Sequence, residues 1–173
     1  MPDWPGFGFS RNILTPFDTP DALYLLGRSA SSGAVWPSAS RALFIPIFVY
    51  TPVVAKRMVL FQGAIGNNID AGIYRDDLSL VVSTGSVAMT GTLNSAQGYD
   101  ITDTLLPAGR YYLALAINGT TGGNFRFAPD VQQCRLMGMF KMDAGFALPA
   151  TAVPVAVTDG YVPNLGIEVL RIT

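Results

Sequence analysis

Between residues 41 and 129 apolar and polar positions alternate with a period of two, the spacing that sends successive side chains to opposite faces of a β-strand. In the first such run Leu43, Ile45, Ile47 and Val49 share one face, and Phe44, Phe48 and Tyr50 share the other. With both faces apolar, this strand is expected to be covered on both sides or to lie at an interface. Its Pro46, which has no N–H to donate, predicts an edge or a bulge. Residues 53–61 form a second run. In a third, Ile69, Ala71 and Ile73 alternate with Asp70, Gly72 and Tyr74. Asp76 and Asp77 then turn the chain into Leu78, Leu80 and Val82, and Val87 with Met89 extends or follows that strand. Tyr99 and Ile101 mark a brief strand, and residues 106–109 a turn. Tyr111, Leu113, Leu115 and Ile117 are the cleanest alternation in the chain. Asn118 and Gly119 are a hairpin signal, ahead of a short returning strand with Phe125 and Phe127. Short strands at this spacing, separated by Gly and Pro turns, predict an all-β fold, an antiparallel β-sandwich of jelly-roll type. The phase of its strands places Ile73, Leu80, Val82, Ile101, Tyr111, Leu113, Leu115 and Ile117 in the interior.

The flanks read differently. Residues 1–40 form an N-terminal arm in which Pro2, Pro5, Gly6 and Gly8 break any helix, while Trp4, Phe7, Phe9 and Phe17 supply aromatic anchors. Trp36 reads as a further anchor of this arm. Thr19 and Pro20 have the character of an N-cap and first helical residue for a short turn over 22–26. The sandwich core occupies 41–129. In 130–173, a less regular segment, residues 130–142 suggest a short helix. Val153, Val155 and Val157, then Ile167, Val169 and Arg171, suggest one or two strands that complete a sheet or make subunit contacts.

Composition sharpens this picture. Charged residues are 13% of the 173 and hydrophobic residues 50%, with no histidine; a soluble domain usually carries roughly a quarter charged residues. Residues 78–99, 111–125 and 144–158 carry no charge at all. Strands on a solvated face normally alternate with charged residues, and edges are blunted by them. Covered faces follow, either with copies of the chain as partners, through Trp4, Phe7 and Phe9 of the arm and Met137 and Met139 near the C-terminus, or with both termini wrapped on their own domain. A formal net charge of −1 with no basic block argues against nucleic acid. The most apolar stretch, 42–55, is interrupted by Pro46 and Pro52 and stopped by Lys56 and Arg57, short of the ~20 residues a membrane helix needs. No secretory signal is expected at the start, and the single Cys134 has no partner for an internal disulfide.

Candidate chemistry is sparse. Asp100 and Asp103, beside Thr102 and Thr104, offer oxygen ligands for calcium or, more simply, caps for turns. On a regular strand, positions i and i+3 face opposite sides. Asp76 and Asp77 read as a turn. Trp4, Trp36, Tyr74, Tyr99, Tyr111, Tyr112 and Tyr161 are candidates to stack on sugar rings, against the simpler reading of core aromatics. Without histidine there is no Ser-His-Asp or Cys-His machinery, and Glu168, the sole glutamate, has no evident carboxylate partner. No catalytic residue, metal or cofactor is expected.

Gly72-Ile73-Tyr74, followed by an acidic turn and Leu80-Val81-Val82-Ser83-Thr84-Gly85, and then the run from Asp100 to Ala116 (DITDTLLPAGRYYLALA), resembles β-sandwich structural proteins of tailed bacteriophages. About half of the chain carries the resemblance. It implies a non-enzymatic virion component of tail, fibre, baseplate or decoration type, assembled in the host cytoplasm with copies of itself and other virion proteins. The alternative from another class is a carbohydrate-binding module contacting host glycans.

Overall fold

In the computed structural model, which describes residues 13–14 and 31–171, the alternating runs become two antiparallel sheets packed face to face. Sheet A is centred on β4 (Val53–Ala64), with β8 (Ser95–Leu106) along one edge and β14 (Leu165–Arg171) along the other. β1 (Ile13–Leu14) pairs with the far side of β14, while β10 (Gly123–Phe127) meets the end of β4 and pairs also with β2 (Ser31–Val35) and β13 (Val162–Pro163). Sheet B runs β12 (Val155–Ala156), β11 (Phe140–Met142), β3 (Ala42–Val49), β9 (Gly109–Ile117) and β5 (Asn68–Arg75). Its last edge is shared by β6 (Leu80–Ser83) and β7 (Val87–Ala88). The sandwich thus draws strands from both flanks of 41–129: β2 lies within the span read as an arm, and β14 sits beside the central strand of sheet A. Among the described residues no helix is long and apolar enough to cross a membrane.

Between the sheets, Leu43, Ile45, Ile47 and Val49 of β3 meet Ile69, Ala71 and Ile73 of β5 and Tyr111, Leu113, Leu115 and Ile117 of β9. Facing them are Met58 and Leu60 of β4 and Leu165, Ile167 and Val169 of β14, all buried. The expected interior phase holds for Ile73, Ile101 and the four β9 residues. It fails for Leu80. A bulge between Ile73 and Tyr74 pairs Ile73 with Val82 but Tyr74 with Leu80, so Leu80 turns to the opposite face, while Val82 stays half-buried against the core. Pro46 fits its neighbourhood because β11 pairs with β3 only from Ala42 to Phe44, leaving that side of Pro46 without a strand. Asn118 and Gly119 make no hairpin. β9 and β10 lie in opposite sheets, and the crossover is held by the Asn67 side chain, whose Oδ1 accepts from the N–H groups of Thr121 and Gly122. The brief strand read at Tyr99 and Ile101 is part of the longer β8. The 130–142 helix is α1 (Val131–Leu136), started by a capping box in which Asp130 and Gln133 exchange side-chain-to-backbone bonds. The helical turn read over 22–26 lies outside the described residues.

A third layer covers the outside of sheet B. Phe44, Tyr74, Tyr112, Ala114 and Ala116 point away from the sandwich core, yet they are buried against Phe140, Leu148 and Ala152. Phe44 stacks on Phe140 at 4.3 Å and meets Tyr74 edge-on at 5.1 Å. The strap at 148–152 is clasped by polar groups of β5 and of the turn after it. Asp70 Oδ2 accepts from Leu148 N–H at 2.9 Å, the Tyr74 hydroxyl donates to the Pro149 carbonyl at 2.6 Å, and backbone bonds join Leu80 to Ala150 and Ala152 to Leu78. Gly72 is needed where the strap crosses. A Cβ there would stand 2.8 Å from the Val82 carbonyl oxygen and 3.0 Å from Leu148 Cδ1. Around Phe44, Tyr74, Tyr112, Ala114 and Ala116, sheet B is therefore apolar on its outer face because the chain covers it. The missing charge in 111–117 and 144–152 requires no neighbouring molecule.

Burial pushes the Asp70 carboxyl upward, opposed chiefly by the bond from Leu148 N–H. With its folded pKa above the unfolded value, Asp70 favours folding most below the unfolded pKa, and that contribution fades as pH rises through the folded one. The stability difference between wild type and Asp70→Asn is thus expected to move against wild type over this window, then level off, as read by denaturant unfolding at a series of pH values. Asp70→Ala, which leaves the Leu148 N–H without its acceptor, is expected to cost about 1–3 kcal/mol.

Candidate functional site

Two irregularities shape the outer face of sheet A. Between Ala55 and Arg57, β4 advances two residues while β14 advances one, from Val169 to Glu168, and β8 advances four, from Thr104 to Asp100. Such bulges break the strict alternation of faces. On β4 the core phase passes from Val53 and Ala55 to Met58 and Leu60. On β8 the slack lets Asp100 and Asp103 both reach solvent. A shallow depression of about 370 Å³ results, lined by Lys56, Arg57, Asp100, Ile101, Asp103, Glu168 and Leu170.

The charges in it satisfy one another. Arg57 Nε donates to Asp100 Oδ1 at 2.6 Å, and Arg57 Nη1 lies 3.7 Å from Glu168 Oε2. Lys56 is ion-paired with Asp103. The hydrogen bond and charge of Asp100, then Glu168, raise the Arg57 pKa further above its usual value. Asp100 and Asp103 therefore answer cations of β4. They cap no turn, and among the described residues no three His, Cys, Asp or Glu side chains gather as a metal site. Asp77 does what its turn reading expects: its Oδ1 accepts from both the backbone and the hydroxyl of Ser79, which holds its carboxyl below the usual range. Asp76 lies 3.5 Å from Arg110.

Next to this charged row the sheet becomes apolar. Leu105, Val54 and Leu170 are cross-strand neighbours on the outer face, and Leu105 and Leu170 are 55% and 51% exposed. The same end of the sandwich carries Phe48, on the outer face of the other sheet, and Tyr50, 56% and 75% exposed, where β3 turns into β4. The pairs Val49–Gly109 and Val53–Leu106 tie the β3–β4 and β8–β9 turns together there. The end of α1 adjoins it: Gly138 packs beside Arg110 and Pro46, and Leu136 is almost wholly exposed.

The residues expected to make contacts or stack on sugars fall mostly elsewhere. Trp4, Phe7 and Phe9 lie outside the described residues. Met139 is buried in its own core, its N–H bonded to the Cys134 carbonyl, and Met137 is half-buried against the same core. Met139 thus has no exposed side chain to offer a neighbour, and the exposed apolar residue of that segment is Leu136. Trp36, read as an anchor of the arm, follows β2 and is buried edge-on against Tyr161 at 5.4 Å, with its Nε1 donating to the Arg41 carbonyl. Tyr161 is buried, its phenol pushed up to about 12 by that burial. Tyr74, Tyr99, Tyr111 and Tyr112 are buried too, which leaves none of the described set with an open ring face. Cys134 is buried, and burial raises its thiol pKa, the opposite of an activated nucleophile.

Sequence reasoning missed the Asp70 clasp, although a carboxylate within a strand of otherwise apolar and small residues was its signal. It read Phe48 and Tyr50 as face residues without seeing that the strap stops short of them. No protein-family model, curated protein or solved structure matches the chain.

Proposed function

We propose that this chain is a non-enzymatic structural subunit of a tailed-phage particle, assembled in many copies through the apolar end of its sandwich. The observation that carries the reading is the pair Leu105 and Leu170, cross-strand neighbours of Val54 on the outer face of sheet A and each more than half exposed. Clustered exposed apolar side chains mark contact surfaces. The ion-paired row of Lys56, Arg57, Asp100, Asp103 and Glu168 borders it as the polar rim of an interface does. The sequence resemblance supports the assignment to a virion. A glycan-binding module finds less support, because the described aromatic candidates are buried.

Quantitative mass spectrometry of intact particles and of their separated parts tests the reading. Recovery at a fixed, multiple copy number in one part is the expected result. Recovery solely as free protein, together with specific binding on a glycan array, would replace it with the carbohydrate-binding alternative.

A further inference from the structure

We propose that Asn118 is a site of spontaneous modification in the folded protein: its carboxamide is lost to attack by the Gly119 nitrogen, and the crossover between the sheets loosens as a result. The chemistry needs no partner molecule beyond water. Ile69 pairs with Ile117, so the β5–β9 ladder continues into Asn68 and Asn118. The Asn118 N–H donates to the Asn68 carbonyl at 3.0 Å, as a ladder residue does. The return bond is different. The Asn68 N–H donates at 2.9 Å to the side-chain Oδ1 of Asn118, which takes the place of a main-chain carbonyl. The carboxamide is thereby held at the surface with its carbonyl polarised by an N–H, while its Nδ2 makes no hydrogen bond among the described residues. Gly119 follows, and its N–H likewise donates to no described residue. Without a Cβ, this glycine leaves its nitrogen open to close approach. No other asparagine in the chain precedes a glycine.

The Gly119 nitrogen gives its proton to solvent hydroxide and attacks Asn118 Cγ. A nitrogen–carbon bond closes a cyclic imide, the Cγ–Nδ2 bond breaks, and Nδ2 leaves as ammonia with a proton from water. Negative charge builds on Oδ1 during the attack, where the Asn68 N–H already donates, and such a donor stabilises the intermediates of acyl transfer. Water then opens the imide. Attack at Cγ leaves aspartate; attack at the main-chain carbonyl carbon leaves isoaspartate, whose main chain runs through the former side chain and is longer by a carbon. Either product places a carboxylate in 111–125, which otherwise carries no charge. Isoaspartate also needs room that Gly119 lacks: a Cβ there would stand 2.6 Å from Asn67 Cγ and 2.7 Å from Asn67 Oδ1. That same Oδ1 accepts from the N–H groups of Thr121 and Gly122 at 2.9 and 3.0 Å. A lengthened chain displaces the Asn67 side chain and frees both N–H groups, just before β10 begins.

The test ages the full-length chain at mildly alkaline pH and maps it by tryptic mass spectrometry, Asn118 lying between the cleavage sites Arg110 and Arg126. Conversion at Asn118 is expected to run at least about tenfold faster than at Asn94, an exposed asparagine that precedes Ser95. Retention time and fragment ions separate isoaspartate from aspartate. Gly119→Ala, whose methyl shields the nitrogen, and Asn118→Gln, whose longer amide closes a ring less readily, are each expected to slow the reaction at least about tenfold. A thermal melt checks that both variants are folded. Hydrogen exchange on the aged protein is expected to show the Thr121 and Gly122 amides losing protection while those of Leu113 and Leu115 keep theirs. Conversion at Asn118 no faster than at Asn94, or undiminished in both variants, overturns the site. Converted protein whose Thr121 and Gly122 amides stay as protected as in the fresh chain overturns the loosening.

Discussion

Phe44→Ala is expected to destabilise the fold by about 3–5 kcal/mol, although its side chain lies on the outside of sheet B. A β-sandwich with a solvated outer face would lose far less there. Phe44 is wholly buried, stacked on Phe140 and edge-on to Tyr74, in the layer that the 148–152 strap closes. Removing the ring takes away a large aromatic contact and opens a cavity beneath the strap. Chemical denaturation should show the loss, and hydrogen exchange should show the Leu148 and Ala152 amides losing protection ahead of those in β9. A cost below about 1 kcal/mol, the range of ordinary surface substitutions, would mean that the strap does not cover this face.

Leu113→Ala, at the centre of β9, is expected to cost about 2–5 kcal/mol. Leu113 pairs with Ile45 of β3 and Ile73 of β5, and its side chain is fully buried between the sheets. Neighbours on both sides limit how far the site can collapse, which favours the upper part of the range. Equilibrium unfolding of this variant is the check, and a loss under about 1 kcal/mol would contradict the interior assignment of the strand.

Most of the sheet was legible because period-two alternation reports directly which side of a strand is dry. β3, β5 and β9 show this well, and so does the turn made by Asp76 and Asp77. Bulges were not legible, since an added residue leaves the composition of a strand unchanged while reversing its faces. That is why Leu80 was assigned to the wrong side, and why Asp100 and Asp103 share solvent against the rule for a regular strand. The Asn118 and Gly119 turn was misread for a related reason: local turn chemistry does not say whether the next strand joins the same sheet or the opposite one. The uncharged stretches carried a mixed message: 111–117 is covered, whereas in 78–99 only Met89 and Tyr99 are buried, and Leu93 there and Val153 in 144–158 stand exposed. For β9 and the strap, each covers the other. The charged depression was not visible in sequence because its partners, Arg57, Asp100 and Glu168, come together from three strands.

Leu105 and Leu170 on the outer face of sheet A are among the apolar side chains that this self-coverage leaves exposed, with Val35, Leu93 and Val153 elsewhere, and the proposed assembly runs through them. Light scattering on the full-length 18.4 kDa chain across a concentration series, up to about 100 μM to populate a micromolar complex, measures it directly. A mass that rises with concentration to a whole multiple of the chain is expected, with a return to the single-chain mass in the Leu105→Asp, Leu170→Asp variant. A wild-type chain that keeps the single-chain mass throughout would contradict the proposed assembly.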